Sequence, residues 1–206
     1  QLFASYLRQL NALLADNSYV LGDEPSLGDC ALMGPLYAHI YRDPYSGAMI
    51  RRLAPSVCAW IGRMRETSKT SDGALNDVDR LPSILFTLLR NIARDYVPMV
   101  STALQTADSY LATNPPTTKA LPRYLGKHAF VIGRGENFEA AGTRSVHTVE
   151  IWKVQRLLQQ YRALSAADKA LVHDVADSAG VASLLKLTWQ HSVHHQAFQF
   201  HSKASD

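Results

Sequence analysis

The sequence predicts a mainly α protein: a helical bundle followed by further helices and a small β-hairpin near residues 128–147. Three observations carry this. Apolar residues recur at helical spacing from Leu2 to Leu14 and again through most of the chain. Two Ser-x-x-Asp boxes, at Ser26–Asp29 and Ser165–Asp168, mark helix starts. A strand-like run appears only once before the tail, at His128–Gly133, with a facing partner at Thr143–His147.

Leu2, Phe3, Tyr6, Leu7, Leu10, Leu13 and Leu14 form one stripe, with Arg8, Asn11 and Asp16 off it, so the first helix ends near Asn17. Tyr19 to Pro25 makes a turn. Ser26 then caps the free N–H of residue 29, while the Asp29 carboxylate reaches back to the N–H of residue 26 and suits the helix dipole. Leu32, Met33, Leu36, Tyr37 and Ile40 continue this helix, which is apolar on most sides and is expected to be central and buried. Gly28 and Gly34 each cost about 1 kcal/mol of helix propensity, which predicts close approach of a neighbouring helix. Pro35 predicts a kink or an adjusted turn. Arg42-Asp43-Pro44 ends the helix. A short helix is expected over 46–53. Another starts near Pro55, with Val57, Trp60, Ile61 and Met64 on one face. Thr67 to Asp79 is polar and reads as a loop.

Pro82 opens a helix that Pro98 restarts or kinks and Asn114-Pro115-Pro116 stops. After the hairpin, Ile151 to Tyr161 restores helical spacing. The box at Ser165 opens a helix to about Ser178, with Gly180 beyond it, and Leu184, Leu185 and Leu187 follow. From Trp189 the tail reads as extended, with Phe198 and Phe200 on one side. The chain thus divides into residues 1–69, a linker at 70–80, and a helical extension at 81–206 that carries the hairpin.

Of the 206 residues 47% are apolar and 19% charged, which fits a globular protein with a real core rather than a disordered one. No run of eighteen apolar residues exists, so no membrane partner is expected. The net charge of +3 is scattered. Arg51, Arg52, Arg63 and Arg65 read as solvated helix faces, so no nucleic-acid partner is expected. Cys30 and Cys58 read as buried free thiols of a cytoplasmic protein, a disulfide being the alternative. There is no initiator Met, no signal peptide, and the helical pattern is already running at residue 2, so the sequence reads as a piece of a longer chain cut within a helix.

Three segments in order carry a family resemblance. They are "YVLGDEPSLGD", "ALMGPLYAHIYRDP" and "PSVCAWIGRM". Together they resemble the C-terminal helical domain of the glutathione S-transferase family: the approach to its central helix with the S-x-x-D box, the central helix, and the following helix. "LPRYLGKHAFVIG" and "VEIWKVQRLLQQYRAL" more loosely resemble a C-terminal extension of some larger members. The resemblance implies a thioredoxin-like half that binds glutathione as co-substrate and lies outside this sequence, as does the first helix of the helical domain. It also implies conjugation of glutathione to an apolar small-molecule electrophile, and a homodimer. The non-catalytic alternative is a protein-interaction module, because such helical domains recur in assemblies and fold does not fix function.

No catalytic, glutathione-binding or metal-binding residue is assigned within the chain. The resemblance implies that Tyr37 or Tyr41, four apart on one helix face, lines the apolar-substrate pocket; the simpler alternative is a pair of core tyrosines. Ser26 and Asp29 have a folding role, and replacing either by Ala is expected to cost about 1 kcal/mol. His191, His194 and His195 would share one face of a helix and invite zinc or nickel, but the extended reading of the tail and the absence of a nearby carboxylate or thiolate argue for a surface or packing role. No phosphate loop, G-x-S-x-G elbow or H-E-x-x-H is present.

Overall fold

The computed structural model describes residues 2–66, 73–114, 120–196 and 199–204. It is mainly helical and forms two compact units, Gln1–Leu89 and Arg90–Asp206.

In the first unit, α1 (Leu2–Asp16) buries Leu7, Leu10, Leu13 and Leu14. Each contributes about 2 kcal/mol of transfer free energy, more than the helix gains from propensity. The stripe packs on α3 (Pro44–Leu53) and α4 (Pro55–Glu66), whose Ile50, Val57, Trp60 and Ile61 complete the core. Asn11 lies off the stripe and caps a neighbouring helix instead. Its side-chain oxygen accepts from the Ser56 N–H at the start of α4, at 2.8 Å. The α3 helix begins earlier than the expected 46–53, because Asp43 accepts from the N–H groups of Tyr45 and Ser46 and Pro44 occupies the first turn.

The helix α2 (Leu27–Pro35) opens on the capping box formed by Ser26 and Asp29. Its Pro35 has no N–H for the carbonyl one turn back, and the ladder widens into a π-helical segment, Leu36–Tyr41. The Tyr41 carbonyl then lies so close to α3 that a Cβ at Gly47 would sit 2.2 Å from its oxygen, so only glycine fits there.

Two expectations for this helix fail. It is not buried on most sides: Asp29 is its one buried residue, Leu36 follows in the π segment, and Leu27 is 89% exposed. Nor do Gly28 and Gly34 serve close packing. Nothing lies within 4 Å of a Cβ built on Gly34, and Gly28 meets the capping Ser26 hydroxyl alone, at 3.3 Å. An apolar composition shows what a helix can bury, not which neighbours are there to bury it.

The buried Asp29 carboxylate holds three segments together. One oxygen accepts from the Val20 N–H at 3.0 Å and the Trp60 indole N–H at 2.8 Å. The other accepts from the Ser26 N–H at 2.9 Å and its hydroxyl at 2.6 Å.

The polar stretch read as a linker over 70–80 behaves differently where it is described. Residues 73–77 run back along the turn after α1. Asp23 N–H donates to the Ala74 carbonyl at 3.0 Å, and Asn76 N–H to the Leu21 carbonyl at 2.7 Å. This crossing needs Gly22, at φ +136°, where a Cβ would meet the Ala74 oxygen at 2.7 Å. The units therefore part at Leu89/Arg90, inside a helix, rather than in the polar loop. Residues 67–72 lie outside the described residues.

That helix is α5 (Ser83–Thr113), continuous through Pro98. Its Leu85 and Leu88 belong to the first core, and Val100, Leu104, Ala107 and Leu111 to the second. In the second unit, β1 (Tyr124–Ile132) and β2 (Ala140–His147) pair antiparallel, each longer than the sequence predicted. The hairpin meets α5 along one helical row. Asp95 accepts from the N–H groups of Gly133 and Arg134 beyond β1, and Thr102 meets His128. Further along that row, Thr106 packs at Gly126. Then come α6 (Thr148–Ala163) and α7 (Ala166–Ser178). The Ser165 hydroxyl accepts from the Asp168 N–H at 3.1 Å to start α7. Gly180, at φ +72°, ends it with Gly180 N–H to Asp177 and Val181 N–H to Ala176, a Schellman pair.

The tail forms a second antiparallel hairpin, β3 (His191–Gln196) and β4 (Gln199–Ala204), where the sequence had suggested only an extended strand. Two side chains pin it. Asp108 of α5 accepts from the N–H groups of Gln190 and His191. The buried Gln155 of α6 accepts from Val193 N–H at 2.8 Å and donates to the His191 carbonyl at 2.9 Å, so its amide completes the strand edge. Phe198 lies outside the described residues.

Because Asp29→Ala orphans the buried Trp60 and Val20 N–H groups as well as the cap, its cost is about 3–5 kcal/mol rather than the ~1 kcal/mol of a surface box. Trp60→Phe, which keeps the box, costs about 1–3 kcal/mol. Urea unfolding measures both; equal, small losses would mean that the indole bond contributes nothing.

Candidate functional site

The π segment places Tyr37 and Tyr41 side by side, ring centroids 6.3 Å apart and planes tilted by 30°. Each carries a guanidinium. Arg65 of α4 lies over Tyr37 and Arg51 of α3 over Tyr41, both at 5.4 Å from the ring centroid. The result is a row of cation, two aromatic rings and cation drawn from three helices, in which the tyrosines are half-buried on the first core and both arginines are exposed. Each guanidinium covers part of a ring, so an apolar ring would meet the remaining aromatic surface and an anionic substituent the flanking positive charge. Sequence reading found the tyrosines by their spacing. It read both arginines as solvated, and both are exposed; what it missed is the ring each one covers, because nothing local indicates it.

His39 and Arg42, near this row in sequence, are exposed. The cysteines correct the expectation of buried thiols: Cys30 is exposed on α2, Cys58 is half-buried, and both are free. Burial pushes the Cys58 thiol up, with Arg51 offsetting part of the effect, so Cys58 stays protonated and is a poor nucleophile.

The second unit holds a polar cluster that sequence reading did not single out. His128 of β1 is buried, and its Nδ1 is 2.8 Å from the Thr102 hydroxyl of α5. Its Nε2 is buried with no hydrogen-bond partner among the described residues. Directly across the strand pair stands Arg144, which pairs with Glu150 of α6 and also donates to the Met99 sulfur at 3.2 Å. Tyr96 joins from α5, its phenol pushed up by burial and by Glu150, with Arg144 opposing. Burial, then the neighbouring Arg144, holds the His128 imidazole below its ordinary value, with Glu150 opposing. The clue in the sequence was weak: His128 lies in a strand whose facing residue becomes known only once the hairpin register is fixed.

Two open clefts also lie in this unit. One, of about 360 Å³, is lined by Leu121, Arg123, His147, Thr148 and Phe200. The other, of about 340 Å³, is lined by Gln105, Asp108, Lys186 and Trp189. The tail histidines are not on a helix. His191 faces Asp108 at 3.5 Å, His195 stacks with Trp152 and Phe200, and His194 and His201 are cross-strand partners. Among the described residues no group of three or more His, Cys, Asp or Glu side chains is placed to hold a metal, and no helix is long and apolar enough to cross a membrane.

The first unit is a helical domain organised around a capped helix and the tryptophan of the helix packed on it. Residues 3–67 match the family model described as glutathione S-transferase, C-terminal domain. That part of the chain is therefore similar to the helical domain of this family, and the match stops short of the second unit. No curated protein and no solved structure matches the chain.

The lowered His128 value predicts an acid-sensitive second unit. Its folded-state value lies below the unfolded 6.5, so the unfolded chain takes up the proton more readily. The stability of the neutral imidazole is fully present above that pH and is lost as pH falls through 6.5 toward the folded value. His128→Gln is expected to flatten the fall of the melting temperature between about pH 7.5 and 5. An unchanged fall in the variant would assign the acid sensitivity to other groups.

Proposed function

We propose that residues 3–67 supply the substrate-side helical domain of a glutathione S-transferase-like protein that conjugates glutathione to apolar electrophiles. The observation that carries this reading is the family match over the segment that holds Ser26, Asp29 and Trp60. In this reading the protein is cytoplasmic and homodimeric. Glutathione is the co-substrate, and its thiolate attacks the electrophile while bound to a thioredoxin-like half outside residues 1–206. No residue of this chain activates the sulfur. The contribution of this domain is the Tyr37–Tyr41 row, whose rings bind an apolar electrophile and hold it for attack.

A second reading, a non-catalytic interaction module, is favoured by the exposed side of α2, where Leu27 is 89% exposed. The two readings differ in whether the full-length protein turns over an aromatic electrophile with glutathione.

On this chain alone, calorimetry with glutathione is expected to give no heat of binding; tight binding would overturn the division of roles. An apolar aromatic electrophile is expected to bind, and Tyr37→Ala or Tyr41→Ala to weaken it about three- to tenfold, equivalent to ~1 kcal/mol. Unchanged affinity in both variants would remove the tyrosine row from the pocket.

A further inference from the structure

The four histidines of the tail divide by strand geometry. His191, Val193 and His195 alternate onto the side of β3 that meets α6, where Val193 is buried and His195 stacks on Trp152. Phe200, opposite His195, shares that side. His194 therefore faces the other way, and its partner across the ladder is His201. His194 is exposed and His201 half-buried. The two on the α6 side have neighbours: the His191 Nδ1 lies 3.5 Å from Asp108 without a hydrogen bond, and His195, although exposed, stacks on two aromatic rings. The two outward ones are left facing each other.

Directly opposed residues in an antiparallel pair carry their Cβ atoms about 5 Å apart. Two imidazoles at that separation can turn their ring nitrogens onto one ion, at the roughly 2.0–2.1 Å typical of metal–imidazole bonds. We propose that His194 and His201 form a two-histidine site for a borderline divalent cation, Cu²⁺ first and then Ni²⁺ or Zn²⁺, which clamps β3 to β4. The donor set selects the class: two neutral nitrogens and no carboxylate favour imidazole-seeking ions over Mg²⁺ or Ca²⁺, and the usual order of affinities places Cu²⁺ first. With no third His, Cys, Asp or Glu side chain in range among the described residues, the remaining coordination positions fall to water. The ladder already holds the two strands in register, so the ion meets a pair that is largely pre-arranged, and binding it stabilises the hairpin. This site is independent of the transferase reading, since it lies wholly in the second unit.

The test uses Cu²⁺ alone with the whole chain. One equivalent is expected to bind, with an electron paramagnetic resonance spectrum showing nitrogen ligation, and to raise the melting temperature. His194→Gln and His201→Gln, on separate strands, are each expected to weaken Cu²⁺ at least tenfold and to abolish the thermal shift. His173→Gln, on α7, is expected to change neither. Melting of the metal-free variants controls for folding, and a variant that melts early is replaced by His→Asn at the same position. A loss smaller than tenfold in either folded variant, an equal loss in His173→Gln, or no Cu²⁺ bound by the wild type overturns the proposal.

Discussion

A single buried carboxylate organises the first unit. Asp29 takes hydrogen bonds from residues 20, 26 and 60, which lie in the turn after α1, at the start of α2 and in the middle of α4. A fully buried acid is tolerated only when its oxygens are satisfied, and here four donors reach it. The apolar stripe of α1 drives the helices together, but apolar contact does not choose one arrangement among several. The directional bonds at Asp29 do. They set the height of α2 against Trp60 and bring the chain from Val20 into the same corner, which positions the π segment and the tyrosines beyond it.

The second unit solves a different problem. Its hairpins are short and partly polar, and a two-stranded sheet is marginal in water by itself. Helix side chains supply what the strands lack. Asp95 and Thr102 hold the first hairpin on α5, and Asp108 and Gln155 hold the second on α5 and α6. Leu104, Leu111, Leu125, Val146 and Leu158 form the apolar core of the same unit.

Much of the local structure was legible because its causes are local. The stripe of α1, the box at Ser26, the proline-led start of α4 and the glycine stop after α7 each depend on residues within a few positions of one another. What escaped was non-local. Trp60 finds Asp29 across 31 positions, and Arg65 finds Tyr37 from a different helix. The exposure of α2 could not be read from its composition, since leucine and alanine look the same with or without a neighbour. The second hairpin was read only as an extended strand because His, Gln and Ser alternate too weakly to announce a sheet. The tyrosine pair was legible from its spacing alone, and the π segment preserves it even though Pro35 breaks the regular ladder.

The amide of Gln155 has a consequence beyond stability. A side-chain amide that gives one bond to a strand carbonyl and takes one from the N–H two residues on can read only alternate positions along that strand. A slip of β3 by one residue would turn its backbone groups the wrong way and bring Ser192 and His194 to face Trp152 in place of Val193 and His195. Gln155 thus ties its amide to one register of β3 and occupies backbone groups on the free edge of that strand, where a strand of another molecule would otherwise pair.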